Sequence, residues 1–191
     1  MANKTTLKPK DKAKMTQTDD KKWYAIRVTY SRELKFQAAL QELGFQTFVP
    51  MCRRIIERKG QKEEKLVSAI PNLCFVKAHK AELDDYLKSL GEARPAHFIW
   101  DKSTRKPLVV PTKAMEDFIK ISLSNVDDVI YLHEISQKLR EGQKVRVKKG
   151  PFEGVEGTVI RVKRSRRVMV ELPGMLAIAT TFVNPEELEI L

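Results

Sequence analysis

The side chains able to do chemistry in this 191-residue chain are few and do not converge. Its three histidines, His79, His97 and His133, lie far apart. None falls in the HExxH spacing that turns two imidazoles toward one metal from successive turns of a helix. No serine or cysteine sits in a nucleophile signature, so no triad can be assembled from motifs. The two cysteines, Cys52 and Cys74, lack CxxC or Cys/His ligand spacing, and Cys74 lies in the apolar run Ile70 to Val76, where a small buried thiol is expected. The acidic pairs Glu63-Glu64, Asp84-Asp85 and Asp127-Asp128 sit in polar surroundings and read as solvated faces, because such charges are rarely buried. The expectation is a protein that binds and does not catalyse: no enzyme, no cofactor and no metal.

Charge indicates what it would bind. Lysine and arginine outnumber the acids 36 to 25, a formal charge of +11 that a polyanion would exploit through counterion release. Nucleic acid is the natural candidate, with a merely solvated lysine-rich surface as the competing reading. No run of about 18 apolar residues is present to span a bilayer, and the N-terminal lysines are not followed by an apolar stretch. The cytoplasm, no membrane contact and a monomer are the expectations.

These groups need elements to position them, and the periodicities supply two domains. Residues 1–20 have almost nothing to bury and read as a disordered tail. Trp23 to Tyr30 is aromatic and β-branched, as a strand should be, and Ser31 is a candidate cap for a helix with Phe36, Ala39, Leu40 and Leu43 on one face, closed by Gly44. Strand Phe45 to Pro50, a charged hairpin or loop from Arg53 to Lys65, strand Leu73 to Ala78, a helix near Ala81 to Leu90 and a short hairpin within His97 to Val110 follow. A last helix, with Thr112 as candidate cap, carries the stripe Met115, Phe118, Ile119 and Leu123. Strands split by helices imply an α+β sandwich over residues 21–123. Residues 124–138 read as a linker with room for one helical turn near Val129 to Ile135. From 139 to 191 short valine-rich strands separated by glycines imply a small all-β barrel. There Val168 and Val170 should face inward, and Arg167 and Met169 outward.

The most specific segment is Val145 to Ile160, VRVKKGPFEGVEGTVI. Gly150, Gly154 and Gly157 give turns their positive φ or close approach, Pro151 fixes a corner, and Phe152 is left on a loop to pack locally or meet a partner. This segment resembles a KOW motif, the core of an SH3-like barrel. Trp23-Tyr24 opening a strand, Val49-Pro50, Ile70-Pro71-Asn72-Leu73-Cys74-Phe75-Val76 and Val109-Val110-Pro111 resemble the N-terminal (NGN) domain of NusG-family transcription elongation factors. Three stretches, Arg27 to Leu34, Val109 to Phe118 and Leu172 to Phe182, are similar to the UpxY specialised NusG paralogues of Bacteroides.

The resemblance implies an elongation and antitermination factor that binds RNA polymerase at the clamp helices of its largest subunit and promotes readthrough of specific operons, capsular-polysaccharide operons by the narrower match. A ribosome-associated or RNA-binding KOW protein is the alternative. The positions matching the polymerase cavity are Leu73, Phe75, Phe98 and Val109, each of which is otherwise an ordinary core residue. Tyr30, Arg32 and Lys35 match positions where specialised paralogues touch non-template DNA, and Arg53 and Arg54 would extend that track. Phe152 matches an aromatic that meets ribosomal protein uS10 or Rho in housekeeping relatives. Arg161, Lys163, Arg164, Arg166 and Arg167 form a basic patch for which leader RNA is a candidate. The valine alternation of the barrel argues against its refolding into helices.

Overall fold

The structure is a computed structural model, and it describes residues 21–58, 61–91, 95–124, 129–132, 142–162 and 164–191. The expected tail, together with Lys59, Asn125, Asp127, Asp128, His133, Ile135 and Lys163, lies outside the described residues.

The N-terminal domain is built on an antiparallel sheet in the order β2 (Gln46–Phe48), β5 (Leu73–Ala78), β1 (Lys22–Val28) and β6 (Ala96–Phe98), with β9 (Val109–Val110) also pairing β1. Strand β1 is central and buried on both faces, which is why it reads as a near-continuous apolar run and not as an alternation. Its even-numbered residues Tyr24, Ile26 and Val28 join Cys74, Val76, Ala78 and Phe98 on one face, closed by Phe36 and Leu40 of α1 (Glu33–Glu42) and Leu83 and Leu87 of α2 (Lys80–Ser89). Its odd-numbered Trp23 and Ala25 join Phe48, Leu73, Phe75 and Val110 on the other, against Met115, Phe118 and Ile121 of α3 (Thr112–Ser122). The charged segment expected as hairpin or loop is a two-stranded hairpin, β3 (Met51–Arg58) with β4 (Gln61–Ser68). Strands β7 (Trp100–Asp101) and β8 (Lys106–Pro107) make a second small hairpin.

Neither expected helix cap is one. Ser31 stands outside α1 with a left-handed backbone, φ 50°, and position 32 leads into the helix without a side-chain cap. Pro111 leads into α3, and Thr112 is its first residue. Gly44, φ 82°, does close α1, its N–H donating to Gln41 O.

The C-terminal domain is a six-stranded antiparallel sheet ordered β10 (Ile130–Leu132), β14 (Leu176–Ala179), β13 (Ser165–Leu172), β12 (Glu156–Val162), β11 (Lys144–Val147) and β15 (Leu188–Ile190). The β-barrel expectation holds, with two differences. Residues 130–132, read as part of a linker with a possible helical turn, are a strand paired to β14. Strand β13 is buried on both faces, because Ile130 and Leu132 pack outside it with Ile160, Met169, Ala177 and Ala179. Met169 is therefore core. Arg167, expected in the outer basic patch, is 4% exposed and donates from Nη1 to Thr180 O at 2.9 Å.

The two domains touch. Barrel residues Val145, Val147, Phe152, Val168, Val170, Leu172 and Ile178 belong to the same apolar cluster as Trp23, Phe48, Phe75 and Phe118, so α3 lies between sheet and barrel.

Candidate functional site

Around α3 this shared cluster is aromatic. Phe118 meets Phe75 at 5.8 Å and Phe48 at 6.1 Å between ring centroids, both edge-on, and Tyr131 at 6.2 Å from the barrel side. The Tyr131 hydroxyl lies 2.8 Å from Ser122 Oγ, which satisfies its polar end. The sheet face bearing Leu73 and Phe75 has one helix of its own, where the opposite face has two; the barrel covers what α3 leaves.

The four residues expected to form one cavity are divided by the sheet. Leu73 and Phe75 are buried on the face toward α3 and the barrel. Phe98 packs on the other face, 5.5 Å edge-on from Tyr24 and with Lys80 Nζ 5.9 Å from its ring centre. Val109, opposite Tyr24 in register, is 42% exposed. The register explains the division: Phe98 pairs with Ile26, an even position of β1, whereas Leu73 and Phe75 pair with the odd positions Arg27 and Ala25. Phe48 and Phe118 take the vacated places beside Phe75. Their signal in the sequence was apolar periodicity alone, which marks core and does not say what covers it.

Phe152 is 3% exposed and belongs to the shared cluster, so its loop packs inward and presents no aromatic to solvent. Gly150 and Gly154, at φ 85° and 80°, shape that loop. Gly157 is needed for close approach, since a Cβ there would stand 2.3 Å from Met169 O. Polar groups of α3 fringe the apolar contact. Lys113 Nζ donates to Asp117 at 2.6 and 2.7 Å and to Gly154 O at 2.8 Å, Glu156 N donates to Asp117 Oδ2 at 3.1 Å, and Lys120 Nζ donates to Glu153 O.

A second surface lies at the β1–α1 corner. Tyr30 is 82% exposed, Arg32 places its guanidinium 5.6 Å from the Tyr30 ring centre, and Lys35 is exposed one turn on. Tyr30 and Ser31, at φ 59° and 50°, are adjacent non-glycine residues in the left-handed region, a conformation that costs about 2–4 kcal/mol for the two. Ordered neighbours hold it: Ser31 N donates to Asn72 Oδ1 at 3.0 Å, Val28 N to Asn72 O at 2.9 Å, and Thr29 N and Oγ1 both to Pro95 O. Arg53 and Arg54 are exposed on β3, away from this corner in the chain, and Arg53 faces Glu64 at 3.5 Å. Glu63, Asp84 and Asp85 likewise pair with lysines at the surface. Among the described residues, no group of three or more His, Cys, Asp or Glu side chains is placed to hold a metal, and no helix is long and apolar enough to cross a membrane.

Residues 21–119, more than half of the chain, match the family model described as transcription termination factor NusG. Residues 141–171 match the KOW motif. A search of curated protein sequences finds no match. Among solved structures the chain is similar to one of NusG from Thermotoga maritima, described for its domain interaction. The identity is 18% over 88% of this chain and 96% of that one, at a TM-score of 0.43. With the N-terminal family match spanning most of the first domain and the KOW motif beginning the second, the chain belongs to the NusG family of transcription factors.

Proposed function

We propose that this chain is an elongation and antitermination factor of the cytoplasm that grips RNA polymerase through the sheet face carrying Leu73, Phe75, Phe48 and Phe118. By its likeness to the UpxY paralogues it acts on specific operons, capsular-polysaccharide operons foremost. The observation that carries the reading is the incomplete cover of this face by its own domain. An aromatic surface closed by one helix and a separate domain is apolar enough to anchor the clamp helices once that domain moves aside. Val109 borders the sheet on its exposed side, and Phe98 supports β1 from behind. The Tyr30, Arg32 and Lys35 corner contacts an unpaired strand in the same complex, where a splayed base stacks and phosphates find cations. Phe152, buried in the docked arrangement, becomes available to uS10 or another partner only when the barrel leaves.

The test is recovery of RNA polymerase by the full chain. Lys113→Glu with Lys120→Glu removes two polar contacts to the barrel and opposes none of the apolar ones, so it should raise recovery. Phe48→Ala, with folding checked by thermal melting, should lower it. Recovery unchanged by both variants would refute the face as the polymerase site.

A further inference from the structure

From the clamp at the β1–α1 corner we infer that Asn72 is a positioning residue for nucleotide binding. It is not a contact itself: it holds Tyr30 where an unpaired base of a single strand can stack, with Arg32 and Lys35 on the adjoining phosphates. The inference rests on the reading of that corner as a nucleic-acid surface and adds the residue on which its geometry depends.

Three observations carry it. First, Tyr30 buries almost nothing, at 82% exposed, and the Arg32 guanidinium stands over its ring. A ring that contributes so little to the core, beside a cation, is a platform for a π-faced anionic ligand, and a nucleotide is both. Second, the ring is displayed by two consecutive left-handed residues, a backbone that reverts unless its surroundings fix it. Third, Asn72 supplies that fixation from both ends. Its carboxamide oxygen accepts from Ser31 N–H and its backbone oxygen from Val28 N–H, bracketing Thr29 and Tyr30. Asn72 is itself left-handed, φ 63°, which asparagine tolerates better than other residues with a side-chain acceptor of this reach. The bracket comes from the turn just before β5, so the corner is tied to the strand that carries Leu73 and Phe75.

The experiment measures binding of the full chain to fluorescein-labelled oligothymidylate and oligouridylate by anisotropy at fixed salt. Four variants are compared: Tyr30→Ala, Asn72→Gly, Asn72→Asp and the double variant Tyr30→Ala with Asn72→Gly. Glycine keeps the left-handed backbone and deletes the acceptor; aspartate keeps both. Tyr30→Ala should weaken binding about tenfold or more, the worth of one stacked base. Asn72→Gly should weaken it about threefold to tenfold, the worth of the lost hydrogen bond. In the Tyr30→Ala background Asn72→Gly should cost nothing further, which a merely structural role would not produce, and Asn72→Asp should bind more tightly than Asn72→Gly. A loss on either strand supports the inference, the strand with the larger loss naming the natural ligand. If Tyr30→Ala leaves both strands unaffected, the nucleotide reading of the corner fails. If Tyr30→Ala weakens binding but Asn72→Gly does not, or costs the same with and without the ring, the role given to Asn72 fails alone. Should Asn72→Gly not fold, Asn72→Asp decides: binding as weak as that of Tyr30→Ala overturns the inference, and near-wild-type binding supports it.

Discussion

Asp117→Ala should open the molecule. The Asp117 side chain is 6% exposed and accepts from two directions: from Lys113 on its own helix and from the backbone N–H of Glu156 on the barrel. Only the second crosses between domains. The Lys113 pair is intrahelical, and half of the lysine side chain is exposed, so it contributes no more than the few tenths of a kcal/mol usual for such pairs. The Glu156 contact is a hydrogen bond to a charged acceptor in a largely dry place, worth about 1.5–3 kcal/mol. At about 1.4 kcal/mol per tenfold, its loss shifts the closed-to-open ratio by about 10- to 150-fold. Single-molecule energy transfer between dyes on the two domains counts open molecules directly. Suitable sites are the exposed Ser103 and Lys144, each replaced by cysteine in a Cys52→Ser background. Asp117→Asn, which keeps an acceptor oxygen, should lie between wild type and Asp117→Ala. An open fraction that Asp117→Ala leaves unchanged would show that the Asp117–Glu156 contact does not hold the domains together and that Asp117 serves only α3.

Gly157→Ala should destabilise the barrel by several kcal/mol, since the new Cβ would meet the backbone of Met169 on the neighbouring strand and not a movable side chain. Thermal melting checks it, and an unchanged midpoint would refute it. Burial, and secondarily the nearby Glu33 carboxyl, raise the Cys74 thiol from 9.0 to about 12. The folded state thus keeps a proton that the unfolded state releases. The stability contributed by Cys74 is whole below pH 9 and is lost at about 1.4 kcal/mol per pH unit as pH rises from 9 toward 12. Melts across that range should be less pH-dependent in Cys74→Ala than in wild type, and alkylation at pH 8 should reach Cys52 while sparing Cys74 in the folded chain.

Elements governed by local periodicity were legible in the sequence. The stripe Met115, Phe118, Ile119 and Leu123 placed α3, although Ile121 and not the exposed Leu123 is buried at its end, and the alternation of Val145 and Val147 placed β11. What failed depended on contacts distant in the chain. Ser31 looks like a cap because its side chain is of the capping type, but its backbone amide is taken by Asn72, forty-one positions away, and the chain turns left-handed before the helix starts. Arg167 looks like surface charge, yet the Thr180 carbonyl accepts from it inside the barrel, and Met169 looks outward until β10 covers it. The candidate cavity mixed the two sides of one sheet. Whether Phe98 shares a face with Phe75 depends on the β1–β6 register, and a shift of one residue would reverse the answer. Phe152 was legible as a loop aromatic that must pack locally or meet a partner; that it is buried in the cluster the two domains share follows only from the folded arrangement.

That arrangement bears on how tightly polymerase can be held. The domains are joined by one chain, so the barrel faces the aromatic surface at an effective concentration near the millimolar range, and even a weak contact is mostly closed. If the proposed site is that surface, polymerase and barrel compete for it, and the apparent affinity falls by the fraction of molecules that are open. The polar fringe of Lys113, Asp117 and Lys120 then sets this fraction without touching the aromatic anchor. Substitutions in the fringe should therefore change apparent polymerase affinity while leaving the affinity of already open molecules the same. Substitutions of Phe48 or Phe75 should instead lower the affinity of the open molecules themselves, because they alter what polymerase grips. A fringe variant that opened the molecule and yet bound polymerase no better would separate the two surfaces and move the polymerase site elsewhere on the domain.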